Sequence, residues 1–548
     1  MSHSKQIPEL QIDVNAKLPI CPGLFYGSVA KDGVLTRMRI VGGILNQPQC
    51  KAIADLTDRY GDGCVQVTNR ANLQIRGVQT AIAPESFHHL QNLGLAPREI
   101  GIDPIRNMMV SPTAGIDPHS RLDTRPLVKA WDDYLQTHLE LANLSPKFSV
   151  CFDGGESVSV RNLRNDITFV AEQNPDRIPN RKSGNASEIL FRLHLNVEVD
   201  RRSMTNIAIA PEQTVSLLAA LAQVYLDYID LKREAYPSNR KPRLRHLLSD
   251  WGVEHYLERV QQLLSFPLTR SEASPEAIAD ESFDESFDRL GSHAQSQPNL
   301  FYLGIALPLG RITSSQLRSL AALAQTYGGG ELRLTPWQNI LIANIPSDRL
   351  LALQTEIADL GLHWSATHLD SGMVACTGRG GCASAATHTQ DHALELVKTL
   401  EQRVSLDRPI EIHFSGCTKS CAQYRHSDIA LVGTEIVKEE RSLEAYDIYV
   451  GARDRALNSS FGRPLLRAVP VEEIPVVVER MLQVYQQQRS PMDVNLSPQT
   501  PFSQSFRQFV DGYSIPQLQE IFDLGLSDRD DFKEVGKEIV NALTSENS

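Results

Sequence analysis

The sequence predicts an α+β fold built from two pseudo-symmetric halves. Three observations carry that reading. Residues Gly43–Val78 and Gly310–Ile345 align without a gap at an offset of 267, and ten of 36 positions are identical, among them Gly43/Gly310, Gln49/Gln316, Tyr60/Tyr327, Gly61/Gly328, Thr68/Thr335 and Asn72/Asn339. Each copy reads as strand, loop, helix, Tyr-Gly turn and strand. The copies are separated by Ser265–Asn299, a stretch rich in Ser, Pro, Glu and Asp without sustained periodicity. A repeat this long is not a solenoid unit.

In chain order, the expected division is 1–106 (first copy of the repeat), 107–267 (a first α/β domain), 268–298 (an acidic linker), 299–368 (second copy), 369–489 (a domain with four clustered cysteines) and 490–548 (an acidic C-terminal extension). In the first copy, Cys64–Arg76 reads as one alternating strand. Val65, Val67, Leu73 and Ile75 face a core, and Gln66, Thr68, Arg70, Asn72, Gln74 and Arg76 face the other way. Two arginines with an amide between them suit carboxylates, which guanidinium groups grip by forked hydrogen bonds. Arg70, Asn72 and Arg76 are therefore candidate anion ligands, with a merely solvated strand face as the alternative. In the second copy the positions of Arg70, Asn72, Gln74 and Arg76 hold Trp337, Asn339, Leu341 and Ala343, so that half reads as structural. The basic run Asn239–His246 leads into Leu244, Leu247, Leu248 and Trp251, the stripe of an amphipathic helix whose bases either face solvent or line an anionic pocket.

Four of the eight cysteines form two tight pairs, Cys376 with Cys382 and Cys417 with Cys421. Four thiolates from two loops are what an iron–sulfur cluster needs. Structural zinc is the rival, but its paired ligands usually sit two to four residues apart, and the first gap here is longer. Ordinary buried or disulfide-bonded cysteines are the remaining alternative. Gly378, Gly380 and Gly381 let the backbone wrap closely and aim amide hydrogens at sulfur. Cys21, Cys50, Cys64 and Cys151 read as small core residues.

Composition excludes some classes. A formal net charge of −12 argues against nucleic-acid binding. No apolar run is expected to cross a bilayer, since the best stretch, Val215 to Ile229, is interrupted by Gln223 and Asp227. Met1 to Val14 is polar, without a secretory h-region, so a cytoplasmic protein is expected. Gly378-Arg379-Gly380-Gly381 lacks the dinucleotide spacing, so electrons are expected from an external donor, a reductase or ferredoxin. The acidic segments 271–290 and 491–548 read as a solvated linker and tail.

The segments Cys21-Pro22-Gly23-Leu24, Leu35-Thr36-Arg37-Met38-Arg39, Thr68 to Gly77, Leu332 to Trp337 and His413 to Ala422 resemble the nitrite and sulfite reductase superfamily. The resemblance runs from about Cys21 to Tyr485. It implies a pseudo-two-fold duplicated fold with ferredoxin-like half domains and a 4Fe–4S cluster held by Cys376, Cys382, Cys417 and Cys421. Within the superfamily, Thr335-Pro336-Trp337, Asn69 to Asn72, Thr418-Lys419 and Arg379-Gly380-Gly381 look most like precorrin-3B synthases. That branch implies oxygen-dependent hydroxylation of precorrin-3A at C20 with lactone formation in cobalamin biosynthesis, a polycarboxylate tetrapyrrole as substrate, and a mononuclear non-haem iron. Arg70, Asn72, Arg76, Arg106 and Lys419 would then contact the substrate, and His388, His413 and His426 are candidate ligands for the second iron. Arg106-Asn107, Ala114 to Asp117, Asp123 to Pro126 and Ser427 to Gly433 instead resemble siroheme nitrite reductases, which makes a siroheme-dependent nitrite or sulfite reductase the alternative. A non-catalytic tetrapyrrole-binding redox protein is the third reading.

Overall fold

The computed structural model describes residues 22–174, 188–198, 201–236, 240–270, 288–422, 427–438, 441–451, 462–489 and 504–523. Cys21, Asn239, His426, Leu526 and the linker residues 271–287 lie outside the described residues. The chain divides into two compact units, Met1–Ala366 and Thr367–Ser548.

In the first unit, the first repeat lays down Ser28–Ala30 (β1), Gly33–Met38 (β2), Ile44–Asn46 (β3), Cys64–Val67 (β4) and Leu73–Val78 (β5). The α/β domain that follows contributes Met108–Val110 (β6), Val150–Asp153 (β7), Ile167–Gln173 (β8), Ile189–Glu198 (β9), Arg201–Ile209 (β10) and Thr269–Arg270 (β11). The second repeat contributes Gly291–Ala294 (β12), Leu300–Ile305 (β13), Arg311–Thr313 (β14), Glu331–Leu334 (β15) and Ile340–Pro346 (β16). The repeats form two sheets, β1-β2-β5-β4-β14 and β12-β13-β16-β15-β3. Each repeat thus donates one short strand to the other's sheet. The registers match: Arg311 pairs with Gln66 and Thr313 with Cys64, while Ile44 pairs with Arg333 and Asn46 with Glu331. Val65, Leu73 and Ile75 share one apolar core with Leu332, Ile340 and Ile342.

The identical positions of the repeat do the same work in both copies. Gln49 and Gln316 each close a capping box, with Asn46 and Thr313, at the start of helices Gln47–Tyr60 and Ser314–Tyr327. Their side-chain amides donate to the carbonyls of Leu93 and Leu360, which are again 267 apart. Thr68 and Thr335 accept the backbone N–H groups of Asn72 and Asn339 and close the same five-residue loop.

That loop corrects one expectation. Cys64–Arg76 is not a single strand but a hairpin, β4 and β5, with Val67 opposite Leu73. Gln66 and Gln74 face each other, and Gln74 Nε2 donates to Gln66 Oε1 at 2.6 Å. The linker expectation also yields at its ends. Thr269–Arg270 pairs with β10, and Gly291–Ala294 pairs with β13.

The basic run leads as expected into the helix Leu244–Gln261, where Leu244, Leu247 and Leu248 are buried. Helix Pro211–Leu231 is long and apolar enough to cross a membrane by length and composition, against expectation. Most of it is buried in the domain core, and the Tyr225 and Tyr228 hydroxyls donate to Pro242 O and Asp250 Oδ2 at 2.7 and 2.8 Å.

Arg333 joins the second half domain to the first α/β domain. It is 1% exposed, and its Nη1 donates to the carbonyls of Pro112 and Ala114 at 3.1 and 2.9 Å. Arg333→Met keeps the bulk but leaves both carbonyls without that donor, so urea denaturation should show a loss on the order of 3 kcal/mol.

The second unit contains Met373–Ala375 (β17), Ile412–Ser415 (β18), Ile429–Lys438 (β19), Arg441–Val450 (β20) and Arg463–Pro470 (β21), in that order across one sheet. β17, β18 and β19 run parallel, and β19, β20 and β21 antiparallel. The first α/β domain has the same topology, with β6, β7 and β8 parallel and β8, β9 and β10 antiparallel. Asp166 Oδ2 accepts the Ser149 N–H at 3.1 Å, and Asp428 Oδ2 accepts the Glu411 N–H at 2.9 Å, at matching places in the two sheets. The duplication therefore includes the α/β domains as well as the repeats. In the C-terminal extension, helices Phe506–Asp511 and Ile515–Ile521 bury Phe506, Phe509, Leu518 and Phe522, and Arg463 donates to the carbonyls of Val510 and Tyr513.

Candidate functional site

Strand order brings the four clustered cysteines to one place. β17 and β18 are parallel neighbours, with Ala375 beside Phe414. Chains leaving their carboxyl ends emerge side by side, where parallel sheets place their ligands. Cys376 follows β17 at once, and Cys417 follows β18 after one glycine. The Cys376 N–H donates to Phe414 O at 3.0 Å, and the Gly416 N–H donates to Cys376 Sγ at 3.1 Å. One helical turn, Gly378–Gly381, returns the chain to Cys382. Gly378 has φ +66°, and a Cβ there would lie 2.6 Å from Thr389 N, so this turn requires glycine. Lys419 Nζ donates to Ser384 Oγ at 2.7 Å and ties the second cysteine loop to the first.

Cys376, Cys382 and Cys417 are half-buried, Cys421 is exposed, and all four are free thiols. Desolvation first, then the nearby Cys376, Cys417 and Cys382, push the Cys421 thiol up, while Lys419 pulls the other way. A thiol held neutral by three neighbouring thiols belongs to a donor set of the kind a cationic iron–sulfur core would relieve. An amide already aimed at sulfur suits the same occupant.

The candidate anion ligands of the first unit meet different ends. Arg76 is bidentate to Asp32 at 2.7 and 2.8 Å. Asn72 Oδ1 accepts the Ile40 N–H, and its Nδ2 reaches Asn107. Arg106 is bidentate to Asp132 at 2.6 and 3.0 Å and 2% exposed. Arg76 and Asn72 are tied up in the fold's own polar contacts, so the open cationic strand face expected from the sequence does not form; Arg106, off that strand, keeps a buried Nη1 with no hydrogen-bond partner among the described residues. Arg70 is different. Half-buried, it donates to Asn165 Oδ1 and the Arg164 carbonyl at 2.8 and 2.7 Å. Arg164 and Arg243 lie within its electrostatic reach, with Asp166 as the compensating acid. Arg245 is held below the usual arginine range, by desolvation first and then by Arg243 and Arg164. Arg243 Nε is buried and has no hydrogen-bond partner among the described residues. The basic run that holds Arg243 and Arg245 is visible in the sequence, whereas its meeting with Arg70 is made by the fold.

Of the histidines expected to hold a second iron, the two that are described, His388 and His413, have other places in the fold. His388 is bonded to Glu444, and His413 is 1% exposed in β18.

Comparison with known proteins decides the family. The sequence matches the nitrite/sulfite reductase ferredoxin-like half domain over residues 29–93 and 293–360, and the nitrite and sulphite reductase 4Fe-4S domain over 101–268 and 371–492. The chain belongs to the nitrite and sulfite reductase family. Among curated members, the ferredoxin–nitrite reductase of Synechococcus elongatus is 32% identical over 470 residues, covering 84% of this chain and 88% of that one. The chloroplastic ferredoxin–nitrite reductase of Zea mays is 30% identical over 477 residues, covering 84% and 80%. Among solved structures, the Mycobacterium tuberculosis NirA protein superposes with a TM-score of 0.70 at 22% identity, covering 88% of this chain and 84% of that one. The fold is thus the duplicated nitrite/sulfite reductase fold, and the chain is an oxidoreductase with that family's 4Fe–4S domain.

These matches overturn the precorrin-3B synthase expectation, and with it precorrin-3A, molecular oxygen and the mononuclear non-haem iron. The residues that suggested it are absorbed locally. Lys419 is held by Ser384, and Arg379 by Glu444 and Glu435 at 3.1 and 3.0 Å. In this member of the reductase family, departures inside the cysteine loops have partners in their own domain and need no different chemistry.

Proposed function

We propose that the chain is a siroheme-dependent nitrite reductase fed single electrons by an external protein donor of the ferredoxin type. The carrying observation is similarity to ferredoxin–nitrite reductases over 84% of the chain. When bound, a 4Fe–4S cluster supplies single electrons and siroheme supplies an iron with an open position. Reduction of nitrite to ammonium takes up six electrons and eight protons and releases two waters. Cys376, Cys382, Cys417 and Cys421 would hold the cluster, since they form the soft donor set described above. Arg70, with Arg164, Arg243 and Arg245 around the acid Asp166, would hold macrocycle carboxylates. The buried Nε of Arg243, without a hydrogen-bond partner among the described residues, supports an anionic occupant there. Lys419 would position the second cysteine loop through Ser384.

Anaerobically purified protein, supplied with a chemically reduced ferredoxin, is assayed for nitrite loss and ammonium gain, with sulfite in parallel. Stoichiometric ammonium is expected, with nitrite preferred over sulfite. A loaded protein that turns over neither, or that prefers sulfite, contradicts the proposal. Arg70→Ala should lower siroheme occupancy about 10- to 100-fold at limiting pigment, as expected from losing one charge-assisted fork, while iron and sulfide of the cluster stay in place.

A further inference from the structure

Glu444, on β20, is the hub of a charged group that the proposed reaction does not use. Its Oε1 takes His388 Nδ1 at 2.6 Å and Arg379 Nη1 at 3.1 Å. Its Oε2 accepts the His388 backbone N–H at 2.8 Å and lies 3.6 Å from His392 Nε2. Arg379 stands inside the first cysteine loop, three residues from both Cys376 and Cys382. It also reaches Glu435, the direct cross-strand neighbour of Glu444. His388 precedes Thr389, whose Oγ1 lies 3.6 Å from Cys376 Sγ. His392 Nδ1 meets Tyr446 Oη at 2.9 Å. The His388 side chain is 43% exposed, so protons can reach the group from water.

We propose that His388 and His392, gathered by Glu444 beside the first cysteine loop, form a proton site coupled to the electron held on the cluster. The inference rests on the reading that the four cysteines bind that cluster. Were a cluster held by those cysteines to gain an electron from the external protein donor, an imidazole nitrogen would take a proton from bulk water. Once the electron had passed on, that N–H bond would break and the proton would return to water. No other bond changes, and the local charge is the same before and after. The physical cause is direct: an added negative charge nearby favours the protonated imidazole, and imidazole is the side chain whose charge changes in this pH range.

The groups that face the pair set its balance. His392 faces Glu444 on β20, Asp391 on its own helix Thr389–Leu400, Glu472 just ahead of helix Ile474–Gln488, and His388. His388 faces Glu444 and shares it with Arg379. Desolvation, opposed by Glu444, holds His392 below the ordinary imidazole range. Against its own desolvation, bonds from His388 and Arg379 hold Glu444 below the usual carboxylate range. The carboxylate is therefore charged and ready to favour a proton on its partners.

The test is a redox titration of the full-length, anaerobically purified protein, following the electron paramagnetic resonance of the reduced cluster between about pH 5 and 8. Iron and sulfide are measured first. The wild-type midpoint potential should fall as pH rises through the histidine window and level off at both ends. It should not vary with pH in a His388→Gln/His392→Gln double variant of equal iron and sulfide content. Glu444→Gln should move the sloping region to lower pH. A role confined to holding the loop would change iron content or thermal stability but leave the slope in place. A wild-type potential independent of pH, or a slope kept in the double variant, overturns the proposal while leaving the cluster reading intact. Wild-type protein without iron and sulfide overturns the cluster reading and this proposal with it.

Discussion

Replacing Cys417 with alanine is expected to remove iron and sulfide together and, with them, the nitrite reduction proposed above. Cys417 sits just past the end of β18, where Gly416 already anchors Cys376 Sγ. A cluster with one thiolate missing keeps an open iron corner exposed to solvent and ligand loss. Because Cys376 is gripped by Gly416, Phe414 and Thr389 without help from Cys417, the loop itself should survive the change. Cys64→Ala is the control. That cysteine lies in β4, in the other compact unit, and its loss should leave the metal content untouched. Iron, sulfide and activity measured on both variants decide the matter. Full metal content in Cys417→Ala contradicts the ligand assignment.

The second large effect concerns folding. A fragment of residues 22–290 should not form a folded monomer, although it contains the whole of the first half domain and the first α/β domain. Its sheet would lack β14, leaving the edge of β4 unpaired, and β3 would have no sheet to join. Leu45 and Ile312, the middle residues of the exchanged strands, are 0% and 2% exposed in the intact chain. Each contributes about 1.5–3 kcal/mol by burial, and the open edges invite association. Helix Gln47–Tyr60 would also lose Arg318, which bridges Asp55 and Asp58 from the partner repeat. Size-exclusion chromatography and circular dichroism should show aggregate or unfolded chain. A cooperative, monomeric fragment would mean that the strand exchange is dispensable.

The repeat was legible in sequence because its identical residues are caps and loop closures that tolerate few substitutes: Gln49 and Gln316, Thr68 and Thr335. The cysteine pairs were legible because four soft ligands in two short loops have few other uses. The hairpin inside Cys64–Arg76 was hidden by parity. The five residues Thr68 to Asn72 keep the odd positions apolar on both sides of the loop, so alternation runs unbroken through a turn. The ion pairs of Arg76 and Arg106 were hidden because Asp32 and Asp132 lie 44 and 26 residues away. Three-residue exchanged strands carry no periodic signal of their own. The duplicated α/β domains left only faint traces, such as Asp166-Ile167 against Asp428-Ile429. Function is poorly legible in a few short segments, Thr335 to Trp337, Asn69 to Asn72, Thr418-Lys419 and Arg379 to Gly381, because such residues vary within a family whose similarity is spread over most of the chain.

The decisive measurement is iron, acid-labile sulfide and pigment analysis of the anaerobically purified wild-type protein, with its absorption spectrum. A 4Fe–4S cluster and one extractable siroheme per chain are expected. Zinc in place of iron and sulfide, or an intact cluster in protein that neither contains nor takes up siroheme, would contradict the assignment.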